Sequence, residues 1–148
     1  MIEVKVMTAA EIEAFLCRTN YGHLGCAADN HPYVVPIHFG YDDGTIYIYT
    51  TEGMKSAMID ANREVCLQVE AVVDNENWAS VIVIGDALKL TSAEDREKAD
   101  AAISAVNPSH TPALSYKWVD PWVRELKDDV VLYRIERRSS SGRSAGSI

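Results

Sequence analysis

The sequence predicts a mainly β domain: an antiparallel barrel of six or seven strands with peripheral helices. Three observations predict it. Several stretches alternate with period two, Ile46-Tyr47-Ile48-Tyr49 most cleanly, as half-buried strands do. Short turn signals separate these stretches, among them Asp29-Asn30, Asp42-Asp43-Gly44 and Asp74-Asn75-Glu76-Asn77. Helical periodicity is confined to a few short segments, which suits helices closing a barrel. The 148 residues suffice for one domain with its own core. That domain is expected over residues 1–138, with 139–148 as a flexible Ser/Gly-rich tail.

Taken in order, residues 1–5 alternate like a short strand. Thr8-Ala9-Ala10-Glu11 is a capping box, with Met7 and Ile12 as its hydrophobic staple. The helix it opens presents Ile12, Phe15 and Leu16 on one face and ends near Asn20-Tyr21-Gly22. Residues 22–28 form a strand of small residues, whose glycines mark a bend or a close backbone approach. Asp29-Asn30 turns the chain into a second strand over 31–41. Proline cannot donate to a ladder, so Pro36 makes that strand an edge, or bulged, at its middle. The strand at 46–49 leaves through Thr50-Thr51-Glu52-Gly53 into a short helix over 54–62, marked by Met54, Met58 and Ala61. Lys55 and Ser56 lie at the start of this helix. A helix dipole, an ammonium and a hydroxyl together suit a phosphate.

Two long strands follow, 65–71 and 78–90. Thr91-Ser92-Ala93-Glu94 caps a helix with Ala99, Ala102, Ile103 and Val106 on one face. Asn107-Pro108 and Thr111-Pro112 break it. Asp120 is the N-cap and Pro121 the first residue of a short helix carrying Trp122, Val123 and Leu126. A final strand spans 130–136.

Composition excludes several classes. A net charge of −8 argues against sequence-independent nucleic-acid binding, which needs a basic stripe. No apolar run reaches the ~18 residues of a membrane span, and no signal segment opens the chain. The expectation is a soluble, cytoplasmic protein. Cys17, Cys26 and Cys66 show no CxxC pairing and read as free thiols. The four histidines lack HxH or HExxH spacing, so no metal site is expected.

Residues 33–39 (YVVPIHF), the Asp42-Asp43-Gly44 turn, Ile46-Tyr47-Ile48-Tyr49-Thr50, Lys55, and Trp78-Ala79-Ser80-Val81 through Gly85-Asp86-Ala87 form an ordered set. With its spacings the set resembles the pyridoxamine 5′-phosphate oxidase-like FMN-binding split barrel, nearest the nitroimidazole-resistance branch. The resemblance runs from about residue 8 to 143, where Ser141-Gly142-Arg143 is similar to the family's small-Gly-basic ending. It implies a homodimer with two FMN sites at the subunit interface. In that arrangement Val34, Val35, Pro36 and Ile37 meet the flavin ring through their backbone. Tyr49 and Thr50 match positions near the ribityl chain and phosphate. Lys55 matches the phosphate-binding lysine, with Ser56 beside it, and Ser80 stands where oxidase relatives place a glutamine against the ring. Met54 replaces one of the oxidases' two cations, and Arg143 alone matches their basic C-terminal residues.

The implied function is an FMN-dependent oxidoreductase of reductase character. It would pass hydride or electrons from a nicotinamide, NADH or NADPH, to a small organic acceptor. The alternative is a non-catalytic module binding flavin or haem. No general acid/base dyad is evident and catalytic residues are not identified, because the hard chemistry belongs to the cofactor. Tyr47, Tyr49 and His38 are open between barrel packing and the site. Trp118 and Trp122 either pack a loop onto the barrel or form a lid over the ligand.

Overall fold

Two tight turns start the sheet. Asp29 and Asn30 take φ of 51° and 62°, and Asp43 and Gly44 take 47° and 84°, the positive pair that two-residue hairpins of the primed type require. The computed structural model describes residues 1–51, 54–106 and 130–147, with residues 51, 54, 55 and 130 described by their backbone. In chain order its elements are β1 (Val4–Val6), α1 (Ala9–Arg18), β2 (Tyr21–Ala28), β3 (His31–Asp42), β4 (Thr45–Thr51), α2 (Met54–Ala61), β5 (Glu64–Asp74), β6 (Asn77–Lys89), α3 (Ala93–Val106) and β7 (Val130–Ala145). The short helix expected at 121–126, with Trp118 and Trp122, lies outside the described residues.

The strands run β1-β7-β4-β3-β2-β5-β6, and a further β6–β7 pairing closes the barrel. Among the described residues all of the strand pairings are antiparallel. The barrel is split. The β3–β4 ladder runs from Asp42↔Thr45 to Phe39↔Ile48, while β3 continues along β2 from Tyr21↔His38 to Ala28↔His31. Pro36 therefore lies in the half of β3 that is laddered to β2, beyond the β4 ladder. This is the edge that a residue without an N–H calls for.

Inward residues of alternating strands fill the barrel, with Phe15, Leu16, Ile37, Phe39, Ile46, Leu67, Val69, Val81 and Val83 fully buried. Helix α1 closes one end. The Thr8 hydroxyl accepts from Glu11 N–H at 3.2 Å, and Thr8 N–H donates to Glu11 Oε1 at 3.0 Å, the expected capping box. Helix α3 lies on the outer face of the sheet, over a second cluster of Tyr47, Tyr49, Leu90, Ala99, Ile103 and Leu132. Its backbone rests on Gly40, where an added Cβ would come within 2.8 Å of the Ala102 carbonyl carbon.

The C-terminal segment differs from expectation. Residues 139–145, expected to lie in a flexible tail, form the second half of β7 and pair with β6 from Trp78↔Ala145 to Ile84↔Ser139. Their small size reads as tail composition, yet it is what a strand packed between neighbours allows. Gly142 and Ala145 are buried there, and β1 pairs along the other side.

Arg137 ties three elements together. Its guanidinium donates to both Glu13 carboxylate oxygens, at 2.6 and 2.9 Å, and to the Gly44 carbonyl at 2.6 Å. Tyr41 O–H donates to the same carboxylate at 2.8 Å. These hydrogen bonds hold the Glu13 carboxyl below its usual range, Arg137 contributing most. Because the folded pKa is depressed, this stabilisation is complete above the unfolded carboxylate pKa. It is lost as pH falls through the folded value. Arg137→Met is expected to cost about 1–2 kcal/mol near neutral pH, since Glu13 is partly exposed. Urea unfolding of both proteins should show that difference shrinking at acid pH.

Candidate functional site

Period-two alternation sorts the residues of β3. Val35 and Ile37 turn their side chains into the core, leaving only their backbone for a ligand, whereas Val34 is 67% exposed on the outer face. Pro36 shares that outer face. Cross-strand register sets Pro36 beside His23, and His23 beside Gln68 on β5. Gln68 in turn reaches Ser80 on β6, and Ser80 stands opposite Arg143 on β7. A row running Pro36–His23–Gln68–Ser80–Arg143 thus crosses five strands on one face.

The middle of the row is joined by side-chain hydrogen bonds. His23 Nδ1 lies 3.1 Å from Gln68 Oε1, and Gln68 Nε2 donates to Ser80 Oγ at 3.2 Å and to Glu70 Oε2 at 3.1 Å. Around it the surface is low and apolar. An added Cβ at Gly25 would come within 2.7 Å of Cys66 Sγ, and Ile82 and Ile84 are 42% and 38% exposed. A flat heteroaromatic ring with one polar edge suits such a face.

A second polar feature lies where β4 ends and α2 begins. Among the described residues the buried polar side chains are Thr50, at the end of β4, and Ser56, in the first turn of α2. They flank the loop in which a phosphate is expected, and the first amides of α2 add donors there. Lys55 occupies the same first turn, and its side chain lies outside the described residues. One further polar atom, His38 Nδ1, is buried without a hydrogen-bond partner among the described residues. It sits two positions beyond Pro36, where β3 leaves the β4 ladder. An orphan of this kind marks a place for a ligand or an ordered water. A flat face, a bonded polar row and enclosed hydroxyls are the donor set that a flavin mononucleotide calls for, so these residues fit it.

Of the residues singled out in the sequence, Val34, Pro36 and Ser80 share the outer face, and Thr50 and Ser56 are buried at the end of β4 and in the first turn of α2. Tyr49 is 1% exposed and packs beneath α3 with Tyr47, which assigns much of both rings to packing. Sequence reasoning missed His23, Gln68 and Glu70. The signal was the alternation of 65–71, which puts Gln68 and Glu70 opposite Leu67 and Val69. Only the register of β5 on β2 brings them to His23. Among the described residues, no group of three or more His, Cys, Asp or Glu could hold a metal ion, and no helix is long and apolar enough to cross a membrane.

Comparison with known proteins gives these features a setting. Residues 8–144 match the family described as pyridoxamine 5′-phosphate oxidase. An uncharacterized protein of Rhizobium meliloti (strain 1021) is 30% identical over 82 residues. That match takes in 55% of this chain and 54% of the relative, about half its length. The crystal structure of a FAD-binding protein from Mesorhizobium loti superimposes with a TM-score of 0.80 at 29% identity, covering 99% of this chain and 100% of that one. A candidate 5-nitroimidazole antibiotic resistance protein from Bacteroides thetaiotaomicron shares the fold, with a TM-score of 0.70 at 22% identity over 97% of this chain and 89% of that one.

Proposed function

The chain belongs to the pyridoxamine 5′-phosphate oxidase family, and on that premise we propose that it is an FMN-binding flavoprotein acting as an oxidoreductase. The observation that carries the reading is the placement of Thr50 and Ser56. These two buried hydroxyls flank the loop that the family resemblance assigns to the phosphate. The Mesorhizobium loti relative is described as FAD-binding, which supports a flavin.

In this reading Thr50, Ser56 and the first amides of α2 hold the phosphate, and Lys55 supplies the charge that balances it. The backbone of Val34 to Ile37 lines the ring, with Ser80 placed to donate its O–H because its oxygen already accepts from Gln68. Bound FMN supplies hydride and electron transfer. The protein's part is to orient the ring, exclude water from it and leave one side open to a nicotinamide and a small organic acceptor. A second copy of the chain, laid on the outer face, would cover exposed Val34, Ile82 and Ile84 and complete two sites at a homodimer interface.

Anaerobic addition of NADH or NADPH to the FMN-loaded protein is expected to bleach the flavin absorbance, and a small nitroaromatic acceptor should restore it. Retention of FMN without bleaching by either nicotinamide would reject the reductase and leave a protein that only carries the cofactor.

A further inference from the structure

The hydrogen-bond row on the outer face fixes more than position; it fixes a tautomer. An ionised carboxylate only accepts, so the Gln68 group facing Glu70 is the amide nitrogen, at 3.1 Å. The same nitrogen donates to Ser80 Oγ. Gln68 therefore turns its carbonyl oxygen to His23, and an oxygen can only accept. The His23 nitrogen at 3.1 Å must carry the proton: it is Nδ1–H. In the neutral imidazole the remaining nitrogen, Nε2, is then an acceptor, and it has no hydrogen-bond partner among the described residues.

His23 stands beside Pro36 on the open face. From this geometry we infer that His23 Nε2 is a ligand-recognition atom, accepting a hydrogen bond from an N–H of the bound ring. Gln68 and Glu70 are positioning residues that hold the accepting tautomer. The inference rests on the flavin reading above and sharpens it. Oxidised isoalloxazine carries a single N–H, at N3, so an acceptor on the protein selects the pyrimidine edge of the ring. Ser80 O–H, donating from the same row, complements the carbonyl and imine acceptors that flank that edge. The polar row then orients the ring by matching one donor and one acceptor, independently of the phosphate.

The test uses the full chain labelled with ¹⁵N-histidine, with FMN and 3-methyl-FMN, which lacks the N3–H, as probes. In the flavin-free protein the His23 resonances, assigned by their loss in His23→Phe, are expected to report Nδ1–H and an unprotonated Nε2. Gln68→Leu should convert them to a mixture of tautomers. FMN should shift the Nε2 resonance, and wild type should bind FMN about fivefold more tightly than 3-methyl-FMN, the effect of one hydrogen bond. His23→Phe should erase that preference while keeping its affinity for 3-methyl-FMN, and His23→Gln, which keeps an acceptor, should restore part of it. An Nε2–H tautomer in the free protein, or equal binding of the two flavins by wild type, would overturn this assignment and leave FMN binding standing. Failure of wild type to bind either flavin would overturn both.

Discussion

Phe39→Ala is expected to lower the unfolding free energy by about 3–5 kcal/mol, a large share of what a domain of this size possesses. The ring is fully buried in the barrel, and its residue forms the last β3–β4 pair, Phe39↔Ile48, before the two strands part. Phe39 N–H donates to the Asn20 carbonyl at 2.9 Å, so the same residue also fixes the entry into β2 from α1. Truncation removes apolar area and leaves a cavity at the point where the barrel splits. Ladders on both sides hold the backbone, and the site cannot collapse to fill the void. Urea unfolding should show a lower midpoint with an unchanged slope. Val34→Ala, five residues earlier on the outer face, should stay within about 0.5 kcal/mol of wild type. Similar losses at both positions would contradict the division of β3 into an inner and an outer face.

The fold was legible because its signals are local. The Thr8–Glu11 box, the Asp29-Asn30 and Asp43-Gly44 turns and the alternation of 46–49 each follow from a few neighbouring residues, and each appears in the structure where the pattern puts it. Pro36 even announced that β3 would be open on one side. What stayed hidden depends on register and on long-range pairing. Ser139 to Arg143 read as tail because serine and glycine carry no hydrophobic period, and only the neighbouring β1 and β6 make strand of them. Tyr47 and Tyr49 alternate correctly, but alternation cannot say that α3 covers them. The candidate site divides in the same way. The proposed phosphate end, residues 50–56, is contiguous in sequence, whereas the polar row draws one residue from each of five strands. His23 and Gln68 are 45 positions apart, a distance no periodicity spans.

Lys55→Ala is the second large effect, on ligand affinity in place of stability. A phosphate held by hydroxyls and amides still carries charge that those neutral donors do not balance, and Met54 leaves Lys55 as the cation of its helix start. The loss of a charge-assisted contact corresponds to about 10- to 100-fold in FMN affinity. Riboflavin, which lacks the phosphate, should bind the two proteins equally. The effect should shrink at high salt, because screening acts on the charge and leaves the ring contacts alone. One set of titrations tests the proposed FMN site most directly, following flavin fluorescence as FMN, FAD and riboflavin are added to wild type and to Lys55→Ala. Wild type is expected to prefer FMN to riboflavin and to FAD, and Lys55→Ala to lose the preference over riboflavin. Wild type that takes up no FMN, or that binds riboflavin as tightly, would contradict the proposed site.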